Sequence, residues 1–119
     1  MKRDMDLVRA ILLELEQHKH GNAPDNFALE GYPEEQVDYH VYLLMQAGLV
    51  EGHTADVSGS PSPIGVPHNL TWTGHEFIDN AREANIWQQA KEVMLKAGTG
   101  SFGVWQSVIT DLVKKSVGL

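Results

Sequence analysis

The chain has 119 residues, of which 42% are hydrophobic, so it can bury one modest core, and we expect a single domain over residues 1–119. Its formal net charge of −7 disfavours nucleic acid and anionic membrane surfaces, and the lack of cysteine excludes disulfides, thiolate catalysis and cysteine-based zinc sites. No apolar run approaches the length of a membrane span, and Asp4 and Asp6 stand where a secretion signal needs apolar residues. We therefore expect a cytoplasmic protein without a membrane partner.

The first predicted element is an amphipathic helix over residues 7–17. Its apolar residues recur at helical spacing, and Asp4 or Asp6 is placed to cap its amino terminus. Residues 22–30 contain Pro24, Asp25 and Asn26, which indicate a loop followed by a short strand at 27–29. The apolar positions of this helix are Val8, Ile11, Leu12 and Leu15.

A second helix is predicted to begin at Pro33, because proline suits the first helical position and acidic residues suit the first turn. Gly48 can adopt the left-handed conformation that ends a helix, which lets Leu49 fold back on Leu44. The residues expected on its buried face are Val37, Val41, Leu44 and Met45.

A β-hairpin, or wing, is predicted at about 49–73, with strands at 49–54 and 69–73. The residues between the strands are rich in glycine, serine and proline and indicate a long flexible tip. Strand alternation places Trp72 on the same face as Leu70, in the core.

The carboxy-terminal part, about 74–119, is predicted to be a helical extension. Thr73 and Glu76 have the spacing of a capping box, so we expect one long helix from there to Gly98 and a final amphipathic helix after Ser101. The predicted fold is mainly α with a small β-hairpin: a winged helix-turn-helix-like domain plus two C-terminal helices.

The order of these elements resembles that of winged-helix domains, because the second helix runs into one wing strand and the other strand leads into the next helix. The chain also resembles an uncharacterised bacterial and phage group, domain-of-unknown-function family 2513, over nearly its whole length. That resemblance implies a winged-helix-like fold and brings no known activity, catalytic residue or ligand. The residues that carry it are 1–9, 31–32, 39–40, 43–44, 48–49 and the run LTWTGHEF at 70–77.

The candidate partner surface lies on the second helix. Tyr39 and Tyr42 are three positions apart and are flanked by Glu35 and Asp38, which would form an acidic, aromatic face suited to a protein partner. The alternative is that the tyrosines pack at the edge of the helix with their hydroxyls in solvent.

The last helix carries a candidate homodimer surface. Its apolar stripe is larger than a terminal helix needs merely to cover its own core, and such stripes usually seek a partner. The alternative is packing within one chain. The residues of this surface are Phe102, Trp105, Ile109, Leu112 and Val113.

No set of catalytic roles can be assembled, so we expect neither an enzyme nor a cofactor. Histidines are scattered on loops and helix ends, where they are usually solvated or structural, and we expect no metal site. The residues weighed as metal ligands are His18, His20, His53, His68, His75 and Glu76.

Two functions remain open. From residue 20 to residue 81 the chain has no Lys or Arg. The second helix, which would be the recognition helix of a DNA-binding winged helix, carries three acidic residues. This charge favours a protein-interaction or accessory regulatory module. The alternative is a DNA-binding transcriptional regulator of bacterial or phage origin, in which cations outside this stretch contact phosphates. Those cations are Lys2, Arg3, Arg9 and Lys19, with Lys114 and Lys115 of a dimer mate.

Overall fold

The fold contains five helices and one antiparallel hairpin, as a computed structural model describes it for residues 1–24 and 27–119. The expected loop residues Asp25 and Asn26 lie outside the described residues. The elements are α1 Met5–Gln17, α2 Glu34–Gln46, β1 Val50–Ala55, β2 Ile64–Leu70, α3 Trp72–Ala81, α4 Ala84–Ala97 and α5 Phe102–Ser116. This mainly helical arrangement agrees with a helix-turn-helix plus a β-hairpin and C-terminal helices, so the predicted fold class is confirmed.

Two compact units make up the chain, Met1–His75 and Glu76–Leu119. The first contains α1, α2 and the hairpin, and the second contains α4 and α5, while α3 spans the boundary. The unit boundary falls close to residue 74, where the C-terminal extension was predicted to begin. That the chain forms one domain stays a prediction.

Helix α1 begins as its sequence indicates. The Leu7 N–H donates to Asp4 Oδ1 at 3.2 Å, which satisfies one of the amides left unpaired at a helix start. The predicted apolar face is buried, and burial of such a face provides most of the stability of a short helix. Its buried residues are Leu7, Val8, Ile11, Leu12 and Leu15.

Helix α2 ends in a Schellman motif, as predicted. Gly48 has φ of 76°, the Leu49 N–H donates to the Leu44 carbonyl at 3.0 Å, and the Gly48 N–H donates to the Met45 carbonyl at 3.1 Å. This turn carries the chain directly from α2 into β1. Leu44 and Leu49 are both buried, which completes the apolar contact typical of the motif.

The buried face of α2 includes a histidine, His40, that is not among the residues predicted for that face. His40 is completely buried, its Nε2 accepts from the Asp4 N–H at 2.8 Å, and its Nδ1 lies 2.8 Å from the Gln36 carbonyl, to which it donates. Because Nε2 must accept, the ring is neutral with its proton on Nδ1. His40 therefore joins the start of α1 to α2 and is not available to a ligand.

Strand β2 is longer and begins earlier than predicted, because it runs from Ile64 to Leu70 rather than from residue 69. Gly65 lies directly against the backbone of α2, where an added Cβ would come within 2.8 Å of Tyr42 Cα. Pro67 is accommodated beside a shift in register between Glu51 and Gly52, and proline in sheets is tolerated at such bulges. Gly65, which falls in the predicted flexible tip, thus lets β2 lie directly against α2.

The prediction that Trp72 lies in the core is wrong. Strand β2 ends at Leu70, and Trp72 is the first residue of α3 with 81% of its surface exposed. The capping residue is Thr71 rather than Thr73, because Thr71 Oγ1 accepts from the Gly74 N–H at 3.0 Å and donates to the Gly48 carbonyl at 2.6 Å. Strand alternation therefore stops one residue before Trp72.

The predicted single long helix is divided into α3 and α4. The interruption falls at residues 82–83, and Glu83 caps α4 by accepting from the Ile86 N–H at 2.8 Å. Helix α4 packs against α5, with the Trp87 and Trp105 rings stacked at a centroid distance of 4.8 Å. Ser101 stands at the amino-terminal end of α5, as predicted.

Residues 27–29 were predicted to form a short strand, but the structure assigns them no strand. The described residues before them contact the hairpin through one backbone bond, in which the Ala23 N–H donates to the His68 carbonyl at 2.6 Å. The sheet in the described part of the chain therefore has two strands, β1 and β2.

Candidate functional site

An open groove lies between residues 27–32, the first half of α2 and the hairpin, all within the first unit. Its larger cavity is about 420 Å³ and is mostly apolar. We call this cavity and the smaller one that adjoins it the hairpin groove. The apolar side chains lining the larger cavity are Phe27, Ala28, Leu29, Tyr32, Val37, Val57, Ile64 and Val66.

The smaller cavity, of about 240 Å³, shares Glu34, Asp38, Val57 and Ile64 with the larger one and adds Glu35 and the hairpin loop. The loop contacts α2 through Ser62, whose Oγ donates to Glu35 Oε1 at 2.7 Å. Three carboxylates of α2 thus line one edge of the groove, whose smaller cavity is also lined by Ser60 and Ser62.

No positively charged side chain offsets the carboxylates of this edge among the residues that line the groove. Partial burial, and secondarily the nearby Glu34 carboxylate, raise the pKa of Asp38 above its ordinary value of 3.8. No Lys or Arg is among the residues lining either cavity, and none occurs between residues 20 and 81. The groove therefore combines apolar surface with acidic groups that lack a cationic neighbour along its lining.

The predicted partner surface is only partly the same as this groove. Glu35 and Asp38 line it, whereas Tyr39 and Tyr42 lie beside it and line neither cavity. The two tyrosine rings stack with centroids 6.2 Å apart and planes 24° from parallel, and Gln46 Nε2 donates to the Tyr42 hydroxyl at 3.1 Å. Both tyrosines are half-buried, so their predicted contact role stays a prediction.

Sequence reasoning missed the apolar part of the groove. Val57 and Ile64 bracket a polar loop, and Phe27 and Leu29 follow a proline-containing stretch, so no periodic pattern relates them. Their one sequence signal is that bulky apolar residues occur in segments otherwise composed of turn residues. Their grouping depends on the hairpin folding back onto α2.

The residues of the candidate dimer surface differ in how deeply they are buried within one chain. Trp105 and Ile109 are buried within the single chain, and Phe102 contacts Phe77 with ring centroids 5.0 Å apart. Leu112 and Val113 are half-buried. Trp105 and Ile109 therefore serve the core of the second unit rather than a free stripe, and the oligomeric state stays a prediction.

The remaining histidines do not form a metal cluster of three or more ligands. Within residues 1–24 and 27–119, no group of three or more His, Cys, Asp or Glu side chains is arranged to hold a metal ion. The histidines were predicted to be scattered, but the rings of His53 and His68 meet on the hairpin. His53 Nδ1 lies 2.7 Å from His68 Nε2.

The fold and groove define a helix-turn-helix protein with a β-hairpin, in which the apolar groove has an acidic edge. The chain belongs to the family described as Hypothetical protein (DUF2513), whose model matches residues 2–100 and thus α1 through α4. An uncharacterized protein of Haemophilus influenzae is 39% identical over 94 residues, which cover 76% of this chain and 76% of that protein. No solved structure is significantly similar to the chain. Among the described helices, none is long and apolar enough to cross a membrane.

Proposed function

We propose that this protein is an interaction module, with an accessory or regulatory role, whose hairpin groove binds a basic, apolar segment of a partner protein. The observation that carries the proposal is a mostly apolar cavity of about 420 Å³, joined to the smaller cavity, with three carboxylates and no Lys or Arg in the combined lining of the two. An occupant with apolar side chains flanked by Arg or Lys matches both properties.

The apolar part of the groove would provide affinity. Removal of apolar surface from water stabilises a complex by about 25 cal/mol per Å², before the entropy of ordering the ligand is subtracted. Val57 is 56% exposed, so it has surface left to bury against an incoming side chain. Ile64 and Val66 are half-buried on the strand that borders the groove.

The acidic edge would provide orientation and specificity. Asp38 and Glu34 repel each other in a partly desolvated position, and a guanidinium or ammonium group placed between them would relieve that repulsion. Arg suits this position best, because its planar fork can bond two carboxylate oxygens at once.

A DNA-binding regulator is the second candidate, and the helix-turn-helix plus hairpin arrangement favours it. Binding duplex DNA through α2 would bring Glu34, Glu35 and Asp38 towards phosphates with no Lys or Arg on that helix to neutralise them. Glu34 and Glu35 are exposed, so their charges would meet the duplex directly. The charge of the docking helix is why we rank this candidate second.

The proposal is tested with a fluorescent synthetic peptide in which arginines flank a leucine-rich centre. The native protein is expected to bind it in a fluorescence anisotropy titration, and binding should weaken as salt is raised. Asp38→Lys should weaken binding at least about tenfold, which corresponds to about 1.4 kcal/mol. Val57→Asp should have a similar effect, because it places a charge in the apolar part of the groove.

Asp56→Lys is the matched control. Asp56 is exposed and adjacent to Val57 but lines neither cavity, so this change alters the net charge as much as Asp38→Lys does. It should leave affinity within about twofold of native, a difference well under 1 kcal/mol. Equal losses for Asp38→Lys and Asp56→Lys would mean that the peptide responds only to overall charge, and the groove would be rejected as its site.

A further inference from the structure

The hairpin brings together two histidines that line neither cavity of the hairpin groove. His53 lies on β1 opposite Val66, and the register passes from Asn69 directly to Pro67, which leaves His68 as the extra residue of a β-bulge. A bulge redirects the side chains near it, and bulges of this kind are common beside functional sites. Here the bulge places the His68 ring next to the His53 ring.

The geometry of the pair is that of a two-nitrogen clamp. His53 Nδ1 and His68 Nε2 are 2.7 Å apart, with ring centroids separated by 4.9 Å and planes inclined at 48°. Both side chains are exposed, whereas the backbone of His68 is anchored because its carbonyl accepts from the Ala23 N–H at 2.6 Å. The two nitrogens therefore face each other on a fixed backbone while solvent reaches both rings.

We propose that His53 and His68 bind one divalent transition-metal ion that prefers imidazole, such as Zn²⁺, Ni²⁺ or Cu²⁺, between His53 Nδ1 and His68 Nε2. A Zn–N bond of about 2.0–2.1 Å and tetrahedral angles set the two nitrogens about 3.3 Å apart. The rings need to separate by roughly 0.6 Å from their present spacing, which two exposed side chains accommodate through small χ rotations.

The proton balance of metal binding is simple. In the neutral pair, one ring donates the proton that lies between the two nitrogens and the other ring accepts it. When the metal enters, the donating ring moves that proton to its own second nitrogen, which solvent reaches, so both facing nitrogens present lone pairs and no net proton is released. Two neutral imidazoles are ligands suited to Zn²⁺, Ni²⁺ and Cu²⁺.

The site is open on its outer side. No third His, Cys, Asp or Glu completes a cluster around the pair in the part of the chain that the structure describes, so the other coordination positions fall to water. An open two-histidine site binds more weakly than a closed structural site, and it leaves positions for a ligand from outside the chain. Because the metal would join β1 to β2, binding should also stabilise the hairpin.

The test is a titration of the native protein with ZnCl₂. Isothermal calorimetry measures the binding, and the ¹⁵N chemical shifts of the histidine rings report which nitrogens bind the metal. We expect one equivalent to bind, with the largest changes at His53 Nδ1 and His68 Nε2, and we expect the thermal midpoint to rise with Zn²⁺ concentration. His53→Gln and His68→Gln should each weaken binding at least about tenfold, since each removes one of two ligands.

His75→Gln is the control, because His75 is an exposed histidine on α3 outside the pair. It should bind Zn²⁺ as the native protein does. The proposal is overturned if native protein binds no Zn²⁺, or if His53→Gln and His68→Gln bind it as tightly as His75→Gln does. Unchanged far-ultraviolet circular dichroism of each variant verifies that lost binding reflects a lost ligand rather than unfolding.

Discussion

The buried joint at His40 offers a direct test of how the first unit is held together. His40→Leu keeps most of the side-chain volume and removes both ring nitrogens. The Gln36 carbonyl keeps its helical bond from the His40 backbone N–H, but the Asp4 N–H loses the Nε2 acceptor at 2.8 Å. A part-buried donor left without a partner costs about 1–3 kcal/mol, so we expect the free energy of unfolding to fall by that amount.

The assay is urea denaturation of the native protein and three variants, with tryptophan fluorescence and circular dichroism as separate probes. His40→Gln retains an amide oxygen that can accept from the Asp4 N–H, and it should recover roughly half of the loss, about 1 kcal/mol. His20→Leu is the control, because His20 is exposed, and it should change stability by less than about 0.5 kcal/mol. A His40→Leu protein as stable as the His20→Leu protein would refute the account of this joint.

Four other perturbations test the fold and the groove. Trp72→Ala should change the free energy of unfolding, measured in urea, by less than about 0.5 kcal/mol, because Trp72 is 81% exposed; a loss of several kcal/mol would show that Trp72 is buried. Gly65→Ala should lower stability by about 1–3 kcal/mol, since a Cβ cannot fit at 2.8 Å from Tyr42 Cα, and an unchanged thermal midpoint would contradict that contact. Thr71→Val should cost about 1–2 kcal/mol and speed hydrogen exchange at the start of α3, whereas unchanged exchange would show that the hydroxyl does not cap the helix. Asp38→Asn should raise stability at about pH 7, because a raised pKa means that the ionised carboxylate is disfavoured in the folded state. That gain should shrink as the pH falls through the raised pKa of folded Asp38 and should be lost below the ordinary value of 3.8; a gain that grows on acidification would refute the sign.

Local chemistry made much of the fold predictable. The Asp4 cap, the apolar face of α1 and the Schellman turn at Gly48 each depend on residues within one or two helical turns. The start of α5 after Ser101 is predictable for the same reason, because a glycine-containing break precedes an amphipathic run, although the Ser101 side chain makes no capping bond. Family membership was predictable as well, since the residues carrying the resemblance are spread along the matched region.

Three of the differences from the predictions share a cause, which is that each depends on a contact between segments distant in the chain. Gly65 pairs with Thr54 in the hairpin and must be glycine because α2 leaves no room for a side chain, and nothing within the loop sequence reveals that neighbour. His40 is a core residue because Asp4, 36 positions away, supplies a donor. Trp72 was assigned to the core by strand alternation, but the strand ends before it. The end of the strand depends on Thr71, whose hydroxyl donates to a carbonyl 23 positions earlier.

The candidate site divides in the same way. The acidic half, Glu35 and Asp38, could be predicted from spacing along α2 and the absence of Lys and Arg. The apolar half could not, because Val57 and Ile64 meet Phe27 only when the hairpin and residues 27–32 fold against one helix.

One titration tests the central claim most directly: the ¹⁵N-labelled native protein at low salt, with the arginine-flanked peptide in one series and random duplex DNA in the other. Low salt gives phosphate attraction its greatest strength, so it is the condition most favourable to DNA. The account predicts peptide-induced shifts concentrated at the groove, at Val57, Ile64 and Asp38, and no duplex binding. Tight binding of the duplex by the native protein, or peptide-induced shifts that lie outside the groove, would contradict it.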